Sequence, residues 1–170
     1  AADAAISAIE SLLGQGAMGF IFDVRTNPGG LVSELTALLD YLLPSGTIFV
    51  SVDKDGNRTE TTSDSVCLDM PMAVLVNEYT YSAAEFFAAA LQEYNWADVI
   101  GARTTGKSRS QQTLELSDGS AIHISTARYL TPLGVDLAEQ GGIIPDQEVA
   151  LTATGDAQLN AAVSAVQWAS

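Results

Sequence analysis

Basic residues are scarce in this chain, as are cysteines, aromatic residues and long apolar runs. Its 170 residues contain seven Lys and Arg against 21 Asp and Glu, which gives a formal net charge of −14. A surface this acidic repels phosphate backbones, so we expect no nucleic acid partner. One cysteine excludes an internal disulfide scaffold and a cysteine-ligated zinc site. No apolar run approaches the ~20 residues that span a bilayer, so we expect no transmembrane segment in this chain.

Apolar residues, in contrast, are plentiful. Hydrophobic residues make up 47% of the chain and charged residues 16%, a composition that excludes a disordered polypeptide. The length predicts one domain, over residues 1–170. The chain opens with AADAAISAIESLL and lacks an initiator Met. We interpret this opening as the middle of a helix in a larger precursor.

Predicted strands and helices alternate along the chain, which favours an α/β layered fold. Short apolar runs at 19–25 and 72–77 predict buried strands, and helical spacing follows at 31–43 and 82–94. Two hairpins are predicted, one around Gly56 and one around Asp118-Gly119. We expect a long loop over 132–145 and a last helix that begins at Asp156, a favourable N-cap, and ends at Trp168.

Residues 101–108, GARTTGKS, match the phosphate-binding pattern G-x-x-x-x-G-K-[ST]. That loop binds phosphate because a helix follows it and directs free N–H groups at the ligand. Here the following residues alternate between polar and apolar in the manner of a β-hairpin. We therefore expect no nucleotide to bind at this motif.

Ser82 lies where a predicted strand and its loop pass into a helix. Ser82 to Glu85 fits the S-x-x-E capping box, which the local sequence alone favours. The alternative is a nucleophile, because such a turn exposes a side chain beside free N–H donors. Lys107, one of two lysines, is either a solvated loop residue or a desolvated amine that can take a proton from serine. Neither residue decides the question alone.

Four blocks in order resemble the motifs of the C-terminal processing peptidases, or tail-specific proteases, of peptidase family S41. They cover about residues 17–150 and read GFIFDVRTNPGGLV, VLVNEYTYSAAEFFAAALQEY, VIGARTTGKSRSQ, and DGSAIHISTARYLTPLG followed by GGIIPD. The resemblance implies a ClpP/crotonase-like layered α/β core with β-hairpins. It also implies a serine endopeptidase that cleaves polypeptides near their C-termini with a Ser–Lys catalytic pair.

The resemblance extends to individual site residues. It implies that Ser82 is the nucleophile, that Lys107 is the general base and that Gln111 orients the lysine amine. For the oxyanion hole it implies the backbone N–H groups of Gly30 and Ala83. This agrees with the absence of a Cβ at Gly30 and with the free N–H groups of a first helical turn.

The chain departs from the family pattern at several points. Tyr81 stands where the family has alanine, and we expect its ring to line the substrate pocket. Ser108 replaces the usual glycine after the lysine. The PDZ module of the family and the strand before its first core helix are absent from this chain. These departures motivate an alternative, a catalytically inactive domain on the same fold that binds peptide tails.

Further expectations also depend on the resemblance. The partners would be unfolded or tail-exposed polypeptides, no metal or other cofactor would be needed, and the protein would be extracytoplasmic.

His123 is the only histidine, and alternation with its apolar neighbours predicts a solvent-facing position on a strand. Asp23 and Arg25 are expected to form a local ion pair that fixes the adjacent NPGG turn.

Overall fold

The computed structural model describes residues 1–168. The helices and strands alternate as predicted, and the α/β class is confirmed. In chain order they are α1 (Ala2–Gly14), β1 (Phe20–Asp23), α2 (Val32–Leu42), β2 (Gly46–Asp53), β3 (Arg58–Ser63), β4 (Met72–Val76), α3 (Ala83–Glu93), β5 (Asp98–Gly101), β6 (Arg109–Glu115), β7 (Ala121–Leu130), α4 (Leu137–Gln140), β8 (Gln147–Glu148) and α5 (Ala157–Trp168).

A parallel sheet in the order β1-β4-β5-β8 forms the centre of the fold. All five residues of β4 are buried, as expected of a parallel strand with both faces covered. Alternate side chains enter two cores: Val74 and Val76 pack with α2 and α3, whereas Ala73 and Leu75 pack beside α5. The sheet is thus layered between helices, and its carboxyl edge opens toward the start of α3.

The second sheet is antiparallel, in the order β3-β2-β7-β6. It joins the core through Phe49 of β2, whose ring lies 5.4 Å from that of Phe86 and 4.9 Å from that of Tyr129. The β6–β7 hairpin projects from this contact with apolar side chains in solvent. Leu114 and Ile122, paired across the hairpin, are 46% and 45% exposed.

Both predicted hairpins are present, β2–β3 and β6–β7. A strand, β6, follows the GARTTGKS loop, as its alternation predicts. Asp156 caps α5 by accepting a hydrogen bond from the Leu159 N–H at 2.9 Å, which confirms that prediction. The predicted loop 132–145 is wrong in one respect, because it contains the one-turn helix α4. Four residues are too few for a helical period to show in a sequence.

The predicted Asp23–Arg25 ion pair is confirmed, and it reaches further than its local spacing suggests. Arg25 Nη2 lies 2.6 Å from Asp23 Oδ2 and 2.8 Å from Asp156 Oδ2. Arg25 therefore ties the end of β1 to the start of α5. Its hydrogen bonds hold the pKa of Asp23 and the pKa of Asp156 below their usual values. Across residues 1–168, no helix is long and apolar enough to span a membrane.

Candidate active site

Ser82 occupies a strained turn between β4 and α3. Its backbone has φ 56° and ψ −123°, a conformation that costs a residue with a side chain about 1–3 kcal/mol. The Ser82 N–H donates to Glu85 Oε2 at 2.8 Å, which is the glutamate half of the predicted capping box. The turn is thus fixed by its own helix, and it presents a serine beside the first turn of α3, where N–H groups lack helical partners.

The NPGG turn packs directly against the serine turn. The Tyr81 N–H donates to the Asn27 carbonyl at 3.0 Å. Gly29 has φ 84°, and a Cβ there would lie 2.7 Å from the Ala83 nitrogen. A Cβ at Gly30 would meet no atom within 4 Å. The glycine whose missing side chain allows the two turns to meet is therefore Gly29, whereas sequence reasoning considered Gly30.

Two N–H groups are left free at this junction. Within residues 1–168, neither the Gly30 N–H nor the Ala83 N–H is bonded to another group of the chain. Both residues line a cavity of about 370 Å³. Ser82, Lys107 and Gln111 line the same cavity, so all five residues implied by the resemblance meet at one place.

Buried polar side chains hold the two turns in register. Asn77 Oδ1 accepts the Thr26 N–H at 2.9 Å. The Thr80 hydroxyl donates to the Val24 carbonyl and accepts the Asn77 N–H, each at 2.9 Å. Thr80 is fully buried, so both of these hydroxyl bonds are shielded from solvent. The sequence motifs did not predict this role of Thr80.

Lys107 lies in the loop before β6 and has two partners. Its Nζ donates to Gln111 Oε1 at 2.9 Å and lies 4.6 Å from the centroid of the Tyr81 ring. The pairing of β6 with β7 shifts register between Ser110 and Gln111. Such irregularities redirect side chains, and this one coincides with the residue that contacts the amine. In the described residues no hydrogen bond joins the Ser82 hydroxyl to the Lys107 amine.

Glu85 connects the serine turn to the lysine loop. Its side chain is fully buried. Oε2 accepts the N–H groups of Ser82 and Lys107, at 2.8 and 2.9 Å. Oε1 accepts the Gly106 N–H at 2.6 Å and the Thr104 hydroxyl at 2.5 Å. The S-x-x-E pattern predicted only the local bond, because the other three partners lie about twenty residues further along the chain.

Ser108 and Asp136 anchor the other side of the lysine loop. The fully buried Ser108 hydroxyl donates to Asp136 Oδ1, and Arg109 Nη1 donates to Asp136 Oδ2 at 2.8 Å. Burial alone would raise the pKa of Asp136, but the bonds from Ser108 and Arg109 outweigh it and hold the pKa below its usual value. The serine that departs from the family glycine is therefore part of the loop's support.

His123 is exposed on β7, as predicted, yet it also lines the 370 Å³ cavity. Its Nδ1 shares a hydrogen bond with Thr113 Oγ1 at 2.9 Å. The alternation of β7 predicted the exposure, but not that His123 lines the same cavity as Ser82. No group of three or more His, Cys, Asp or Glu side chains within residues 1–168 is placed to hold a metal ion.

A second cavity, of about 470 Å³, adjoins the first at Gly30 and Ala83. Its floor is apolar and includes Phe22, Leu38 and Phe87. An apolar side chain could therefore be buried next to the free N–H groups. This arrangement suits a ligand that presents a carbonyl at the N–H pair and a hydrophobic group beside it.

A strained serine, an amine on a neighbouring loop and two free N–H groups around one cavity are the parts of a serine hydrolase that works by acyl transfer. The model of peptidase family S41 matches residues 1–149, and the chain belongs to this family. The fold predicted from the resemblance is confirmed as that of this family's peptidases.

Several relatives carry names that describe processing at C-termini. A carboxyl-terminal-processing protease of Synechocystis is 38% identical over 165 residues, which are 92% of this chain and 38% of that protein. The chloroplastic carboxyl-terminal-processing peptidase 2 of Arabidopsis thaliana is 38% identical over 149 residues, which are 86% of this chain and 29% of that protein.

A solved structure, the photosystem II D1 C-terminal processing protease, matches with a TM-score of 0.80 at 36% identity. The match covers 88% of this chain and 39% of that structure. This chain thus spans less than half the length of each of these three proteins. A putative S41 protease from Bacteroides fragilis has the same fold at 18% identity, with a TM-score of 0.77.

Proposed function

We propose that this chain is the peptidase core of a serine endopeptidase that cleaves polypeptides near their C-termini. The observation that carries the proposal is the meeting of Ser82, Lys107, Gln111 and the free N–H groups of Gly30 and Ala83 in one cavity. The names of the relatives support the same activity. Unfolded or tail-exposed polypeptides are the proposed substrates, and an extracytoplasmic location is proposed with them.

The proposed mechanism uses these residues in sequence. The neutral Lys107 amine takes the hydroxyl proton of Ser82 while Oγ attacks the scissile carbonyl carbon. The Gly30 and Ala83 N–H groups donate to the oxyanion that forms. Collapse breaks the C–N bond, and Lys107 gives its proton to the departing amine. Water then attacks the acyl-enzyme with Lys107 again as base, which releases the acid and restores Ser82.

The position of Lys107 requires one movement before the first step. In this structure its amine contacts the Tyr81 ring and donates a hydrogen bond to Gln111, so in the proposed mechanism it turns toward Ser82 when substrate binds. A lysine side chain has four rotatable bonds, and such a turn needs no backbone change. The 470 Å³ cavity beside the oxyanion donors would accept a small or apolar substrate side chain. Neither a metal nor another cofactor takes part in these steps.

The test is degradation of an unfolded protein such as casein by the full-length enzyme at neutral to mildly alkaline pH. Ser82→Ala and Lys107→Ala should each lower the rate by about three orders of magnitude or more. Lys54→Ala is the matched control, because Lys54 is the other lysine and its side chain is 81% exposed. Full activity of Lys107→Ala would overturn the assignment of the base.

The alternative, a catalytically inactive domain that binds peptide tails, is not favoured by the relatives' names. It predicts that wild type and Ser82→Ala bind a peptide equally and that neither cleaves it. Turnover by wild type alone would reject it.

A further inference from the structure

Thr26 has a backbone conformation that its residue type disfavours. Its φ is 58°, in the left-handed region that a β-branched residue rarely adopts. The Asn27 N–H donates to the Val24 carbonyl at 3.2 Å, so Thr26 is the third residue of a tight turn, a position where a positive φ favours glycine. Thr26 is exposed, so packing of its side chain does not impose this conformation.

The Asn77 side chain holds Thr26 with two hydrogen bonds. Asn77 Oδ1 accepts the Thr26 N–H at 2.9 Å, and Nδ2 donates to Thr26 Oγ1 at 3.1 Å. Asn77 is buried and directly follows β4, so the amide has a fixed position at the carboxyl edge of the parallel sheet. Thr26 thus keeps its strained φ because a buried amide binds both its backbone and its side chain.

Thr26 joins two segments that other contacts fix. On one side, the Arg25 side chain ties the end of β1 to the start of α5. On the other side, the ring of Pro28 restricts its own φ, and Asn27 Oδ1 accepts the Gly29 N–H at 2.8 Å. The segment after Thr26 is therefore stiff, and the conformation of Thr26 sets its direction.

We propose that Asn77 is a positioning residue that, by holding Thr26, directs the Gly30 N–H at the oxyanion. The inference rests on the proposed function, because it takes Gly30 as an oxyanion donor. Such a donor acts only at hydrogen-bond distance from the place where the oxyanion forms. A small rotation of the stiff segment would therefore slow the reaction although no group that touches the substrate is removed.

The same amide also contacts the turn that carries the proposed nucleophile. Asn77 Oδ1 accepts the Tyr79 N–H at 3.1 Å, and the Asn77 N–H donates to the Thr80 hydroxyl at 2.9 Å. Ser82, two residues further, has φ 56°, which is also strained. Strained residues of this kind persist where their surroundings impose them, and they cluster at active sites. One buried side chain thus contacts both turns whose N–H groups form the proposed donor pair.

The first test compares two substitutions of Thr26 in the full-length enzyme, with kcat and KM measured on a peptide substrate. Both lose the hydroxyl, but Thr26→Val keeps the β-branched shape, whereas Thr26→Gly adopts a positive φ without strain. We expect kcat to fall about tenfold in Thr26→Val and less than about threefold in Thr26→Gly. KM should change less than about twofold in both, because an oxyanion donor acts in the transition state. An equal or larger loss of kcat in Thr26→Gly would overturn the proposal.

The second test removes the amide and then relieves the strain. Asn77→Ala should lower kcat by about 10- to 100-fold with little change in KM. Adding Thr26→Gly should raise kcat at least about threefold above that of Asn77→Ala, because glycine adopts the required φ without the amide. Loss of a merely structural contact would not be recovered by a glycine. A double variant that is no faster than Asn77→Ala would contradict the proposed role.

Asn95→Ala is the matched control, because Asn95 is an exposed asparagine with φ 53° just beyond the other end of α3. This substitution strains a turn outside the site, so its kcat should equal that of wild type. Circular dichroism of each variant checks that it is folded. If Asn77→Ala does not fold, the order of Thr26→Val and Thr26→Gly decides the question, since both keep Asn77 and its other bonds.

Thermal unfolding separates this inference from the proposed function. The change in unfolding midpoint caused by Thr26→Gly should be more favourable in the Asn77→Ala background than in wild type, by about 2–4 °C. Additive changes would mean that Asn77 does not hold Thr26, and they would overturn the proposal. Full activity of Ser82→Ala would instead reject the proposed function and the oxyanion role with it, and the unfolding midpoints would still decide whether Asn77 holds Thr26.

Discussion

The two sides of the candidate site are built very differently. The serine turn stands on β4 and α3, where β4 and most of α3 are buried, and bonds from Thr80 and Glu85 hold it in place. The lysine loop leads into the β6–β7 hairpin, which is largely exposed and carries Gln111 and His123. The proposed nucleophile thus rests on a buried support, whereas the groups that surround the proposed base lie on an element open to solvent.

This difference indicates how the site combines precision with movement. An acyl-transfer site needs its nucleophile and oxyanion donors held closely in place. In the proposed mechanism, the Lys107 amine must turn toward and away from Ser82. A buried scaffold serves the first need, and long side chains beside an exposed hairpin serve the second. Glu85 joins the two sides through the N–H groups of Ser82 and Lys107.

Removing Glu85 is the most direct way to break that connection. Glu85→Ala leaves three N–H groups and one hydroxyl without their buried acceptor, and we expect the free energy of unfolding to fall by at least about 3 kcal/mol. Chemical denaturation measures this free energy of unfolding. Glu93→Ala on the same helix is the control, since Glu93 is half-buried and accepts the Leu133 N–H. Similar losses for the two variants would mean that Glu85 has no special role.

The contrast in burial predicts unequal effects of one substitution on the two sides. Leu75→Ala removes a fully buried side chain from β4 and should lower the free energy of unfolding by about 3 kcal/mol. Leu114→Ala, at a position 46% exposed on β6, should lower it by less than about 1 kcal/mol. Urea titration of both variants decides this. A large loss for Leu114→Ala would show that the hairpin is less open than its exposure indicates.

A smaller effect should follow from pH at the anchor of the lysine loop. The folded-state pKa of Asp136 is held low, so the stability that its ionised form adds is present above about pH 4, the unfolded value, and is lost as the pH falls through the folded pKa. At neutral pH, Asp136→Asn should be less stable than wild type by about 1–2 kcal/mol.

Between about pH 5 and pH 2 this difference should shrink, because wild type loses the contribution and the variant never had it. Thermal melts over that range measure the difference. Asp69→Asn, at an exposed aspartate, supplies the control. A difference between Asp136→Asn and wild type that stays constant with pH would contradict the assigned ion pair.

The linear motifs named side chains that the structure brings to one cavity, and the reason is physical. Ser82, Lys107 and Gln111 stand in short blocks whose letters and spacing are legible along the chain. The contacts between side chains of different blocks cannot be read from the sequence. Glu85 binds the N–H of Lys107, 22 residues away, and the Tyr81 ring meets the lysine amine, because the sheet brings the loops together.

The fold shows the same division between local and distant information. Periodicity predicted the long helices and both hairpins, since each is a repeat within one segment. The sequence did not predict the short elements α4 and β8, because their formation depends on partners elsewhere in the chain, such as β5 for β8. The close approach of Gly29 to the Ala83 nitrogen was not predicted for the same reason, because only the folded chain shows which atoms lie against Gly29.

At position 82 the proposed reaction and the stability of the fold favour different residues. Glycine adopts φ 56° with little strain, whereas serine and alanine do not. The Glu85 bond is made by the backbone N–H, so it would survive the replacement. A chain with glycine at position 82 would have no nucleophile and yet should withstand more heat than one with alanine. Serine at this position is therefore a residue that the proposed reaction requires and that folding alone would not select.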